Sequence, residues 1–204
     1  MAERRIGSPE AKNRTALLDA AEQLMLDEGY AAVTSRRVAS KAGLKAQLVH
    51  YYFRDMDELF LALFQRRAEE GLAQQQKLLE SPRPLHALWE FSIDNTSATF
   101  TMEMAALSNH RKALQAEVVR YSELFRIAQL DAVTTILERN KVSPDACPPA
   151  KLVVLMTALG RILGLEQNMK FSLAHQETLE WFERYLDKLE PPGGQRPARR
   201  KRAT

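Results

Sequence analysis

The sequence is poor in the residues that staple, ligate or interrupt a chain. It holds one cysteine, Cys147, in 204 residues, so no disulfide forms within the chain and a reducing compartment is expected. Its four histidines, His50, His86, His110 and His175, are widely scattered. No His-Glu-x-x-His pair, glycine-rich phosphate loop or nucleophile elbow occurs. No metal or cofactor is therefore expected, and an enzyme is the weakest of the functional readings. Only 8 glycines and 9 prolines break the chain. No segment alternates apolar and polar residues with β-branched enrichment, so strands are not expected. The most apolar stretch, Leu152 to Leu159, is too short for the ~20 residues that cross a bilayer. Met1 to Pro9 is polar and basic, so a secretory signal is not expected either. Together these absences point to a cytoplasmic protein.

What remains is a helical composition. Hydrophobic residues make up 45% and charged residues 27% of the chain, enough to bury a core. Ala, Leu, Glu, Gln and Arg dominate, and these lose little entropy in a helix. The net charge of +3 is uneven. Residues 1–54 carry nine basic against six acidic side chains, residues 55–190 fifteen against twenty, and residues 191–204 five against none. Only the two ends favour a polyanion.

Apolar spacing predicts a helix from about Ala11 to Glu28, with Leu17, Ala21, Leu24 and Met25 on one face and Gly29 as a left-handed stop. Tyr30 to Val33 is a short connection. Thr34 is an N-cap for a helix to about Ala42 that buries Val38 and Ala39. Gly43 separates it from a short helix over Lys45 to Tyr52. Asp55 and Glu58 have capping-box spacing and open a helix to about Glu80, which Ser81-Pro82-Arg83-Pro84 breaks. Leu85 to about Ala98 and Thr99 to about Ser108 read as two helices with a joint near Asn95. Arg111 to Asn140, Ala150 to about Phe171 and Gln176 to Leu189 complete about nine helices in an all-α fold.

Two short helices around a glycine turn, over Thr34 to Phe53, match the helix-turn-helix plan. A recognition helix presents small and polar side chains to base edges in the major groove, mostly from its N-terminal end. Lys45, Ala46 and Gln47 stand there. Gln47 suits a bidentate contact to adenine, and Lys45 suits guanine or phosphate. Leu48 either touches a thymine methyl or packs in the core. Thr34, Ser35, Arg36, Arg37, His50 and Tyr51 are placed for phosphates, although Arg36 and Arg37 also read as a solvated face. Val49, Tyr52 and Phe53 read as core.

Over about residues 10–70 the chain resembles the TetR family of bacterial transcriptional regulators. The resemblance rests on Thr34, Val38, Ala39, Ala42, Gly43, Leu44, Val49, Tyr52, Phe53, Asp55, Glu58 and Leu59 in one frame. Lys45 stands where that family commonly has a capping serine, His50 where it has a tyrosine, and Met56 where it has a phosphate-binding lysine. Arg54 is a substitute for the last. The resemblance implies an N-terminal three-helix bundle carrying the helix-turn-helix, followed by a helical effector-binding and dimerisation domain. It implies double-stranded operator DNA, a second copy of the chain and a small apolar or amphipathic effector as partners, with repression as the outcome. The corresponding domains are residues 1–54 (motif 34–53), 55–190, and a disordered basic tail over 191–204.

For the dimer interface the last two helices offer Leu152, Leu155, Met156, Leu159 and Leu163, with Gly160 and Gly164 spaced by four, and Leu179, Phe182 and Leu186. An internal helix contact is the alternative for the glycines. Trp89, Phe100, Met104, His110, Tyr121 and Phe125 are candidate effector contacts, since aromatic and Met-rich linings adapt to apolar ligands; core packing explains them equally well. Glu103 is a possible polar anchor. The tail arginines and lysine, Arg196, Arg199, Arg200, Lys201 and Arg202, either add phosphate affinity or only solubilise. A helical interaction module with a purely structural helix-turn-helix is the remaining alternative.

Overall fold

The computed structural model describes residues 12–191. Almost all of the basic tail, from residue 192 onward, lies outside these described residues. Nine α-helices and no strand occur among them: α1 Lys12–Glu28, α2 Ser35–Lys41, α3 Ala46–Tyr52, α4 Met56–Leu79, α5 Pro84–Ser92, α6 Asn95–Ser108, α7 Lys112–Arg139, α8 Pro149–Asn168 and α9 His175–Leu189. A single 3-10 turn, Tyr30–Ala32, follows α1. The local signals act where expected. Glu58 N donates to Asp55 Oδ1 at 2.9 Å, which caps α4. The returning carboxylate of Glu58 takes the N–H of Arg54 at 2.8 Å rather than that of Asp55, so the box is one residue wider than the usual form.

Two local expectations need correction. Gly29 has φ 81 and ψ 167, which is not the left-handed helical stop. It lies in an extended positive-φ region that only glycine visits readily. The joint between α5 and α6, expected near Asn95, falls at Ile93–Asp94, but α5 ends at Ser92 rather than Ala98 and α6 begins at Asn95 rather than Thr99. Ser92 Oγ donates back to the Leu88 carbonyl at 2.8 Å, a side-chain bond that competes with helix continuation. Asp94, a residue type favoured at N-caps, then precedes α6.

The packing divides the described residues into two compact units, and the division does not fall at residue 54. The first unit holds residues up to Leu72 together with Asn95–Phe125. Its core joins Leu17, Ala21, Leu24 and Met25 of α1 to Val38, Ala39, Val49 and Phe53. Leu59, Phe60 and Leu63 of α4, Phe100, Met104 and Leu107 of α6 and Leu114 of α7 complete the same cluster. Three short helices cannot cover their own apolar faces, so α4, α6 and α7 supply the missing walls.

The second unit holds Ala73–Asp94 and the residues from Arg126 onward. Its core comprises Leu85, Leu88 and Trp89 of α5, Val133, Ile136 and Leu137 of α7, Leu152, Val153, Met156 and Leu163 of α8, and Phe182, Leu186 and Leu189 of α9, with Cys147 among them. Glu190 closes it. Its buried carboxylate accepts the backbone N–H of Leu85 at 3.1 Å and of His86 at 3.3 Å, and meets His86 Nδ1 at 2.9 Å. An anion thus satisfies the free amides at the start of α5.

Helices α5 and α8 meet at Gly160. A Cβ there would lie 2.0 Å from the Ser92 carbonyl oxygen. The obstruction is backbone, so a larger residue must push the two helices apart. Gly160→Ala is expected to destabilise the protein by about 1–3 kcal/mol, measured as a lower urea midpoint with unchanged slope. An unchanged midpoint would show that the two helices separate freely.

Candidate nucleic-acid interface

Each short helix of the motif begins for a stated reason. Thr34 has extended backbone, with φ −117 and ψ 155, and its Oγ accepts from Arg37 N at 3.4 Å. Val38 and Ala39 then anchor α2 in the core. The helix ends through Gly43, whose φ of 67 suits glycine. Leu44 N donates to Ala39 O at 2.9 Å and closes the turn. Lys45 takes the N-cap position of α3 with no side-chain bond, since an ammonium cannot accept from an amide. Val49 and Tyr52 bury one side of α3, and Phe53 follows it into the core. The opposite side faces outward: Lys45, Ala46, Gln47, His50 and Tyr51 are all exposed.

The structure sorts the candidate contacts. Thr34, Arg36 and Arg54 are exposed and Ser35 is half-buried. Leu48 is half-buried and packs against the first unit's core, which favours its packing role. Arg37 is engaged elsewhere. Its guanidinium meets Glu28 at 2.5 Å, and Lys41 meets Asp27 at 3.3 Å. These pairs neutralise the acidic end of α1. Arg36 has no ion pair among the described residues, so its charge is uncommitted. Arg54 reaches Glu58 through Nε at 3.1 Å, and its side chain stays 80% exposed. Arg14, not singled out from the sequence, lies over the Phe53 ring at 5.1 Å. Burial holds its pKa below the ordinary arginine range against the opposing pull of Glu58.

Sequence periodicity missed one element of this region. Tyr30 N donates to Glu103 Oε2 at 2.7 Å, so α6 grips the turn between α1 and α2. Glu103 is thus a structural acceptor rather than a free polar anchor for a ligand. Its neighbour in space is Gly29, where a Cβ would lie 3.3 Å from the same oxygen.

The remaining candidates fall in both units. Phe100, Met104 and Tyr121 are buried in the first unit. Tyr121 stands edge-on to Phe64 at 5.7 Å and donates to Glu69 at 3.1 Å, so packing already accounts for it. Phe125 is half-buried and His110 exposed. Trp89 belongs to the second unit and packs on Phe182 at 4.4 Å. In the second unit Leu88, Ser92, Gln129, Val133, Val153 and Met156 line a cleft too tight to hold a water molecule.

The dimer stripe is corrected in the same way. Leu152, Met156, Gly160, Leu163, Gly164, Phe182 and Leu186 are buried within the second unit and unavailable to a partner. Gly160 serves the internal contact with α5 described above. Leu159 and Leu179 are partly covered by the same core. Of the ten candidates only Leu155 is exposed, at 49%. It is joined by Val154 and Ile162 on α8 and Trp181 on α9, none of which had been singled out.

Comparison with known proteins bears on the motif directly. The family model for bacterial regulatory proteins of the tetR family matches residues 17–63, which contain the whole helix-turn-helix. The HTH-type transcriptional repressor BepR of Brucella suis biovar 1 is 25% identical over 147 residues, covering 62% of this chain and 70% of BepR. Residues 17–63 thus resemble the helix-turn-helix domain of that family. Solved structures agree with the helical architecture. A transcriptional regulator from Rhodococcus sp. Rha1 superposes with a TM-score of 0.65 at 18% identity, over 87% of this chain and 93% of its own. FadR of Bacillus subtilis, solved with stearoyl-CoA, gives 0.61 at 13% identity, over 89% and 99%. No helix among its described residues is long and apolar enough to cross a membrane.

The turn and cap of the motif carry separable costs. Thr34→Ala removes one amide acceptor and is expected to cost about 1 kcal/mol. Gly43→Ala meets nothing within 4 Å, so its cost, about 1 kcal/mol, comes from positive φ alone. Chemical denaturation of both variants checks these values; a neutral Gly43→Ala would show that the turn relaxes.

Proposed function

We propose that this chain is a homodimeric repressor that reads operator DNA through α3 and is released by a small apolar or amphipathic effector. One observation carries the reading: the outward side of α3, directly after the Gly43 turn, offers Lys45, Ala46 and Gln47 with nothing covering them. Gln47 is the proposed base contact, to adenine, and Lys45 reaches guanine or phosphate. Thr34, Ser35, Arg36, His50, Tyr51 and Arg54 hold the phosphates, and Arg37 contributes less because Glu28 competes for it. Residues 1–54 supply this reading surface. Repression is supported by the printed description of BepR as a repressor.

For the dimer, the exposed apolar residues Val154, Leu155 and Ile162 of α8 and Trp181 of α9 support a self-complementary face. A dimer places two reading helices about one DNA turn apart. For the effector, support comes from a structural neighbour, FadR of Bacillus subtilis, solved with stearoyl-CoA. The buried indole N–H of Trp89, which has no acceptor among the described residues, suits a ligand that brings one. Effector binding then favours a spacing of the two heads that no longer fits the operator.

Selection of bound DNA from a random pool is expected to return a palindromic site. Gln47→Ala weakens binding to that site by about 1–3 kcal/mol with helicity unchanged. Arg36→Ala lowers the salt slope of binding by about 1, whereas Arg37→Ala lowers it less. Equal effects of the two would remove the distinction between a free and a committed arginine. Leu155→Glu is expected to give a folded monomer by light scattering with weakened operator binding; a dimer that persists in this variant argues against the α8 face.

A further inference from the structure

The 3-10 turn between α1 and α2 starts without a cap of its own. Gly29 holds the capping position and has no side chain to accept from the free amide of Tyr30. A serine or aspartate there would close the turn locally. The acceptor comes instead from α6. Glu103 Oε2 takes the Tyr30 N–H at 2.7 Å, across 73 residues of sequence. Gly29, with φ 81 and ψ 167, adopts backbone nearly confined to glycine and so presents that amide.

Glu103 also stands where α6 would ordinarily place an apolar residue. Phe100, Met104 and Leu107 form the buried stripe of α6 at helical spacing, and position 103 falls within it. A leucine there would extend the core. A half-buried acid needs a partner. Asp27 and Glu28, at the end of α1, have Lys41 and Arg37. Glu103 makes no ion pair among the described residues, and the Tyr30 amide answers its carboxylate there.

The turn leads straight into the motif. Val33 is buried directly after it, and Thr34 caps α2. Helix α2 passes through the Gly43 turn into α3. Helix α6 packs on both α1 and the turn. We infer that Glu103 is a positioning residue for DNA reading. Its carboxylate caps the 3-10 turn from α6 and holds α2 and α3 in the pose that meets base edges. The inference rests on the DNA-reading role proposed above and adds a residue that touches no DNA. Base contacts need a fixed register, whereas phosphate contacts tolerate a loosened head. A pre-ordered head also spares operator binding an ordering cost. Loss of the bond therefore reduces selective binding and spares non-selective binding.

Glu103→Ala and Glu103→Gln in the full chain test this. Each is titrated, at fixed salt, with the duplex that the wild-type chain selects and with an unrelated duplex. Glu103→Ala is expected to bind the selected duplex about tenfold more weakly, as loss of one charge-assisted bond allows. Affinity for the unrelated duplex should stay within about twofold, with the salt slope unchanged, since no phosphate contact is lost. Glu103→Gln keeps an acceptor oxygen without the charge and should fall between alanine and wild type. Hydrogen exchange at the Tyr30 amide should quicken in the same order. If the alanine variant fails to fold, the glutamine variant decides, and its selective binding must fall about threefold. Unchanged selectivity in folded variants, equal weakening on both duplexes, or an unchanged Tyr30 exchange rate would overturn the inference. A wild-type chain that selects no duplex overturns the DNA-reading role and the inference with it. Variants that select as well as a selecting wild type overturn the inference alone.

Discussion

The helix-turn-helix depends on how the chain leaves α1, and that exit is held by a single carboxylate. Glu103 accepts the Tyr30 amide at 2.7 Å and lies 3.3 Å from where a Cβ at position 29 would stand. Gly29, with φ 81 and ψ 167, aims that amide at α6. The 3-10 turn then delivers Val33 to the core and Thr34 to its capping position. A carboxylate accepting a backbone amide is a charge-assisted bond and stronger than a neutral one. The orientation of the DNA-reading helices is therefore coupled to an α6 side chain far away in sequence. Coupling of this kind is what a regulator requires, because a helix outside the motif can bias the motif only through contacts that differ between states.

Electrostatics in the first unit follow the same economy. The acids of α1 draw several arginines and lysines into structural use. Asp19 and Glu22 hold Arg66 at 2.6 and 2.8 Å, and Asp57 holds Arg111 at 2.6 Å. Asp27 and Glu28 take Lys41 and Arg37. Exposed pairs of this sort contribute little stability, typically ~0.2–1 kcal/mol. Their larger effect is on position, because they tie α2 to α1 and α4 to α1. A count of basic residues overstates the charge available to a polyanion, and Arg36 and Lys45 differ from Arg37 and Lys41 for this reason.

What was legible in the sequence was local. Thr34, Gly43, Asp55 and the apolar spacing of α1 placed helices and caps within a residue or two, because each signal is satisfied by neighbours along the chain. The Ile93–Asp94 joint was less legible, since it hangs on a serine bond to its own helix rather than on a proline or glycine. Glu103 was invisible in the sequence as a clamp; nothing in its own neighbourhood points to Tyr30. Burial partners were the least legible. Leu152, Met156 and Leu163 gave the right stripe, but a stripe states only that a face is buried. Gly160 likewise announced a close helix approach, and the helix that approaches is α5 of the same chain.

Helix α8 shows why these readings diverge. Its inward face, through Val153, Met156 and Gly160, is committed to the core and to α5. Its outward face, through Val154, Leu155 and Ile162, is apolar and open. Arg161 is exposed on the outward side. A helix apolar on nearly every side reads from sequence as simply buried. One charged residue on the outward side divides it into surfaces with different partners.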